Sequence, residues 1–161
     1  LLIGYMIPPF TKRAKRRLVT HPKFYYFDSG LYRAIRPMGP YDTPQEIGGI
    51  SVETLICQQL VAVNDLMKLG YKIYYYRTAT GVEVDFVMYG ELGVVAIEVK
   101  SSNTYTSEMI LGLKRFAIDY PEAKLYLLYG GERKMYIDGV TVLPLSAACR
   151  EMGELLRNKG T

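Results

Sequence analysis

Glu98 and Lys100 stand two apart at the end of an apolar run, Val94-Val95-Ala96-Ile97. Residues i and i+2 of an extended strand share a face, so this carboxylate and this ammonium point the same way. Val84-Asp85-Phe86, in the preceding apolar run, supplies a second acid, and a chain reversal about the Glu91-Leu92 bond sets Asp85 opposite Glu98. Opposed Cβ atoms lie about 4.5–5.5 Å apart, close enough for two carboxylates to repel unless a cation sits between them. Their oxygens, with the backbone carbonyl of Val99, suit Mg²⁺ or Mn²⁺. Lys100 is then placed to orient or activate a water and to balance phosphate charge, the chemistry of phosphodiester hydrolysis. The competing reading pairs Glu98 with Lys100 as a purely structural salt bridge, which leaves Asp85 unexplained. Unpaired charge at the end of a buried strand costs several kcal/mol, so these groups must be paired or metal-bound.

A fourth group comes from upstream. Glu53 shares a helix face with Ile50, Ile56, Cys57 and Leu60, which puts a carboxylate in an otherwise inward stripe, although the helix dipole also favours an acid in a first turn. Glu83 shares the face of Asp85 and is an alternative ligand. Arg77 either contacts phosphate or pairs with a local carboxylate. Lys12, Arg13, Lys15, Arg16 and Arg17, with Lys23 close behind, form a basic stretch dense enough to track a phosphate backbone or to serve as a solvated linker. The tyrosines number 15, and runs such as Tyr74-Tyr75-Tyr76 suit strands as well as base stacking.

The elements that must position these groups follow from periodicity and punctuation. Residues 1–10 read as a short strand ending at Pro8-Pro9, and Asp28 offers an N-cap for a short helix to about Arg36. Three prolines and three glycines between Pro37 and Gly49 mark a loop. A helix is expected over about 50–69, stopped by Gly70. Strands are expected over 71–77, 82–89 and 94–100 as an antiparallel meander, then a helix capped by Ser107 and running to about Tyr120. A strand over 124–129, a hairpin turning on Asp138-Gly139 and a helix over 145–157 complete the order.

Composition bounds the rest. With 161 residues, 49% of them hydrophobic, the chain suits one compact α/β unit with a real core. Its longest apolar runs are short, so a soluble, cytoplasmic chain without a membrane span is expected. Cys57 and Cys149 match no CxxC spacing and fit a reducing compartment, and a single histidine, His21, argues against zinc. The start at Leu1, without methionine or a signal-peptide pattern, suggests a piece of a longer protein. The absence of a GxxxxGK[ST] loop argues against nucleotide hydrolysis by this chain.

The helix bearing Glu53, then Val84-Asp85-Phe86, then Ile97-Glu98-Val99-Lys100, then a helix and a strand, resembles the PD-(D/E)xK nuclease superfamily. More closely, Phe24-Tyr25-Tyr26-Phe27-Asp28-Ser29-Gly30-Leu31, Tyr76-Arg77-Thr78 and Glu83-Val84-Asp85-Phe86 look like the uncharacterised domain that follows a AAA+ ATPase module in many prokaryotic proteins. The resemblance covers nearly the whole chain. It implies a restriction-endonuclease-like αβββαβ core with a mixed central sheet flanked by helices, in residues 46–161. Residues 1–45 would then be a connector at the end of a winged-helix-like region. It further implies Asp85, Glu98 and Glu53 as holders of the metal, Lys100 as the catalytic lysine, DNA as partner, ATP confined to an N-terminal module, and possible oligomers. Members of that fold exist that bind nucleic acid without cutting it, so a nuclease and a non-cutting binding or regulatory module both remain open.

Overall fold

The computed structural model describes residues 3–12, 16–35, 39–40 and 42–157. A two-stranded hairpin, β1 (Gly4–Ile7) and β2 (Lys23–Tyr26), leads into helix α1 (Ser29–Ile35), whose Leu31 N–H is capped by Asp28 at 2.8 Å. Helix α2 (Pro44–Leu66) follows and starts well before the residue its periodicity suggested. Thr43 and Glu46 form a reciprocal capping box, and proline suits a first helical position, so the Pro- and Gly-rich segment is partly helix instead of loop. Thr43→Ala is expected to cost about 1 kcal/mol in urea unfolding.

Strands β3 (Lys72–Arg77), β4 (Glu83–Gly90) and β5 (Gly93–Lys100) form the antiparallel meander. Ser107 does not cap an α-helix: Ser107–Ile110 is a 3-10 turn that leads into α3 (Leu111–Asp119). Then come β6 (Lys124–Tyr129), the hairpin β7 (Met135–Ile137) and β8 (Val140–Pro144), and α4 (Leu145–Arg157). Asp138 and Gly139 both have positive φ, the two-residue turn that an Asp-Gly pair allows. The six strands make one mixed sheet in the order β3-β4-β5-β6-β8-β7, with β6 parallel to β5 and β8.

Helices cover both faces. Ile56, Cys57 and Leu60 of α2 and Ala148, Met152 and Leu156 of α4 pack with Phe86, Met88, Val95, Ile97 and Val99. On the opposite face Ile110, Leu113 and Phe116 pack with Val84, Val87, Val94 and Ala96. By length and mean hydropathy, 1.2 over Glu46–Leu66, α2 is apolar enough to cross a membrane, yet its inward stripe lies in this core. Glycine is needed where α3 nears the sheet, because a Cβ on Gly112 would lie 2.3 Å from the Glu83 carbonyl oxygen.

The N-terminal segment belongs to the same body. Tyr75 N–H donates to Pro8 O and Phe10 N–H to Tyr75 O, and further along Val19 N–H donates to Arg77 O and Ala79 N–H to Arg17 O. Phe10 is 1% exposed, with its ring among those of Tyr74, Tyr89, Phe116 and Tyr120.

Candidate metal centre

The site forms where β4 and β5 part. Their ladder runs from Gly90↔Gly93 to Phe86↔Ile97, the register that a reversal at Glu91-Leu92 requires, and ends one pair short of Asp85 and Glu98. Against β3, the pairs Tyr74↔Val87 and Tyr76↔Val84 leave Asp85 and Phe86 both opposite Tyr75, a β-bulge. The extra residue breaks the alternation of β4. Without it, Asp85 would share the α3 face with Val87 and, by register, with Glu98.

With it, Asp85 turns toward the α2 side. Its Oδ2 accepts the Val99 N–H at 2.9 Å, and its Oδ1 lies 3.8 Å from Lys23 Nζ. Glu98 and Lys100 keep the parity of Val94 and Ala96. They open into a cleft of about 250 Å³ that Glu83, Glu108, Gly112 and Arg115 also line. The expected single face is therefore corrected: Asp85 turns to the α2 side with Glu53, whereas Glu98 faces the cleft on the α3 side, and the charge of Asp85 is felt by both other acids. Val99, expected to act through its carbonyl, acts here through its N–H.

Electrostatics bind the group together. Burial and the charge of Asp85 lift Glu98 to about 8, although Lys100 Nζ sits 2.6 Å from its Oε1. Glu98 Oε2 is buried without a hydrogen-bond partner. Burial, then Asp85, lifts Glu53 to about 7, while its Oε2 accepts from the Tyr25 hydroxyl at 3.1 Å. Burial raises Asp85 as well, against the pull of Lys23 and Lys100. Three carboxylates thus share a low-dielectric space with too little positive charge.

Among the described residues, no group of three or more acid, histidine or cysteine side chains is placed to hold a metal ion. By donor type alone, carboxylate oxygens such as these suit a hard divalent cation. Asp85 Oδ1, the orphaned Glu98 Oε2 and Glu53 offer oxygens whose raised proton affinity marks the charge deficit that a cation would fill.

The sign of the pH dependence follows. Carboxyls whose folded pKa is raised above the ordinary 4.5 stabilise the fold most below that value. That contribution disappears as pH climbs through the folded values near 7 and 8. In chelator the melting temperature should fall between about pH 5 and about pH 9, and Mg²⁺ should restore it at the alkaline end. A flat profile with and without Mg²⁺ would contradict the acidic cluster.

Two residues here were not anticipated. Lys23 ion-pairs with Glu83 and Asp85 and lies 5.3 Å over the Tyr75 ring. Desolvation pulls its pKa down, but Asp85, Glu83 and Glu53 raise it further. Tyr25 joins it because i and i+2 of β2 share a face, and its ring packs 5.3 Å from Phe86. That alternation was readable in Lys23-Phe24-Tyr25-Tyr26, whereas the hairpin's docking against α2 and β4 was not.

Of the other expected residues, Glu83 stays at the site, lining the cleft and paired with Lys23, and the rest lie apart. Glu83 and Arg77 pair with each other, Nε to Oε2 at 3.6 Å. Arg16 binds Asp119 at 2.7 Å, and Tyr76 donates to the same carboxylate. Lys12 lies 5.0 Å over the Tyr89 ring, at the far end of β4 from Asp85, and Arg17 is exposed beside the β3–β4 turn. Arg13 and Lys15 lie outside the described residues.

Residues 48–148, spanning α2 to α4, match the family described as Domain of unknown function (DUF4143). The chain belongs to this family. DUF4143 domains are known to follow AAA ATPase modules. Glu53, Asp85, Glu98 and Lys100 fall inside the matched span, whereas Lys23 and Tyr25 reach the DUF4143 core from outside it. No curated protein matches the chain.

Proposed function

We propose that this domain is a metal-dependent nuclease of the PD-(D/E)xK type, cutting DNA phosphodiester bonds with Mg²⁺ or Mn²⁺, and forms the C-terminal part of a cytoplasmic AAA+ ATPase. The observation that carries this reading is the buried, unpartnered Glu98 Oε2 beside Asp85, with Lys100 on the other Glu98 oxygen. The element order α2-β3-β4-β5-α3-β6 supports it as the αβββαβ core of that superfamily.

Asp85, Glu98 and Glu53 would hold the cation, which supplies positive charge against the phosphate and acidifies a water. Lys100 Nζ, whose side chain is 41% exposed, can donate to a phosphate oxygen or orient the water without leaving Glu98. Arg115, which lines the cleft, would supply a backbone contact for the nucleic acid.

The test is incubation of the chain with supercoiled, linear, single-stranded and branched DNA in Mg²⁺ or Mn²⁺. Cleavage that chelator stops is expected, and equal cleavage by wild type and Asp85→Ala would sink the assignment.

A second reading, a DNA- or partner-binding module that does not cut, is favoured by the fact that each acid already has a protein partner: Lys23 at Asp85, Lys100 at Glu98, Tyr25 at Glu53. It predicts salt-sensitive DNA binding that neither Mn²⁺ nor chelator alters.

A further inference from the structure

We infer that Lys23 is the resident counter-ion of the metal centre, holding the cation's place on Asp85 and setting how tightly a divalent ion binds; the inference rests on the metal-centre reading above.

The two oxygens of Asp85 are not equivalent. Oδ2 is committed to the Val99 N–H at 2.9 Å, a bond that closes the parting strands. Only Oδ1 is left for a cation, and Lys23 Nζ stands 3.8 Å from it. That distance is too long for a hydrogen bond, so the ammonium neutralises Asp85 through space. Its direct partner is Glu83, which is 32% exposed.

Lys23 is thus held close enough to offset the charge of the acids and loosely enough to give way. When Oδ1 takes up a divalent ion, Lys23 can keep Glu83 while its repulsion of the incoming charge weakens binding.

Lys23 is a positioning residue delivered from the β1–β2 hairpin, outside the span that defines the family. Its Nζ lies 5.3 Å over the Tyr75 ring, opposite the bulge that turns Asp85 toward it. Tyr25, two residues along, ties the same strand to Glu53. The hairpin therefore reaches two of the three acids, and cation affinity depends on where it sits.

Mn²⁺ titration of the whole chain, followed by the loss of its electron-spin-resonance signal and by calorimetry, tests this without an activity assay. Lys23→Met should bind Mn²⁺ about tenfold more tightly than wild type, the effect of removing one partly buried charge pair. Lys23→Gln should do the same if the methionine variant fails to fold. Glu83→Gln should act in the opposite sense, weakening Mn²⁺ binding about threefold, because a released Lys23 closes on Oδ1.

Equal or weaker Mn²⁺ binding by the uncharged Lys23 variants, in a chain whose Asp85→Asn variant loses Mn²⁺, would overturn the role of Lys23 and leave the metal centre standing. Absence of Mn²⁺ binding in wild type and Lys23 variants alike would overturn both.

Discussion

Asp85→Asn is expected to leave a folded protein that binds no Mn²⁺ and cleaves DNA about 10³-fold more slowly than wild type. The amide oxygen can still accept the Val99 N–H that Asp85 Oδ2 now takes at 2.9 Å, so the split between β4 and β5 keeps its shape. What disappears is a charge that burial already disfavours. The melting temperature in chelator at neutral pH should therefore hold or rise, while the metal-dependent rate collapses. This opposite movement separates a lost centre from a lost fold. Glu98 and Glu53, freed from a neighbouring negative charge, should also titrate lower, which carboxylate infrared bands or NMR shifts would report. Unchanged cleavage would overturn the proposed nuclease centre at Asp85.

The largest effect on stability should come from a residue far from the chemistry. Phe10→Ala is expected to cost about 3–5 kcal/mol in urea unfolding, the range for deleting a fully buried aromatic ring. Phe10 is 1% exposed, and its ring meets Tyr120 at 5.2 Å and Tyr74 at 5.4 Å between centroids. These rings join α3, β3 and β4, so the cavity would open where three elements meet. Phe10→Leu should recover part of the loss. A cost below about 1 kcal/mol would mean that the N-terminal segment docks only loosely.

Much of the architecture was legible because it depends on local signals. Apolar runs set apart by tight turns marked the meander, Asp138-Gly139 marked the separate β7–β8 hairpin, and the short Gly90-to-Gly93 reversal carried the β4–β5 register. The beginning of α2 was missed because Pro and Gly were weighed above the cap that Thr43 and Glu46 build. Ser107 was misread because its helix opens with a 3-10 turn. At the candidate site, Glu53, Asp85, Glu98 and Lys100 could be singled out from the sequence, but their facing could not. One extra residue at Asp85 and Phe86 changes the side from which the acid approaches, and a bulge leaves no mark in an apolar pattern that continues through it. Lys23 escaped because pairing between a distant hairpin and the site is fixed by tertiary packing, and its charge was absorbed into the basic stretch before it.

The hydrogen bonds that Pro8, Phe10, Arg17 and Val19 make with β3 and the turn after it carry a warning for domain excision. β3 is the outermost strand of its sheet, and this ribbon occupies backbone groups that would otherwise be open to another chain. A fragment cut at residue 48, where the family span begins, would keep every acid of the centre yet bare a tyrosine-rich edge. Such a fragment should self-associate through that edge, and its insolubility would say nothing about whether the intact protein cuts DNA.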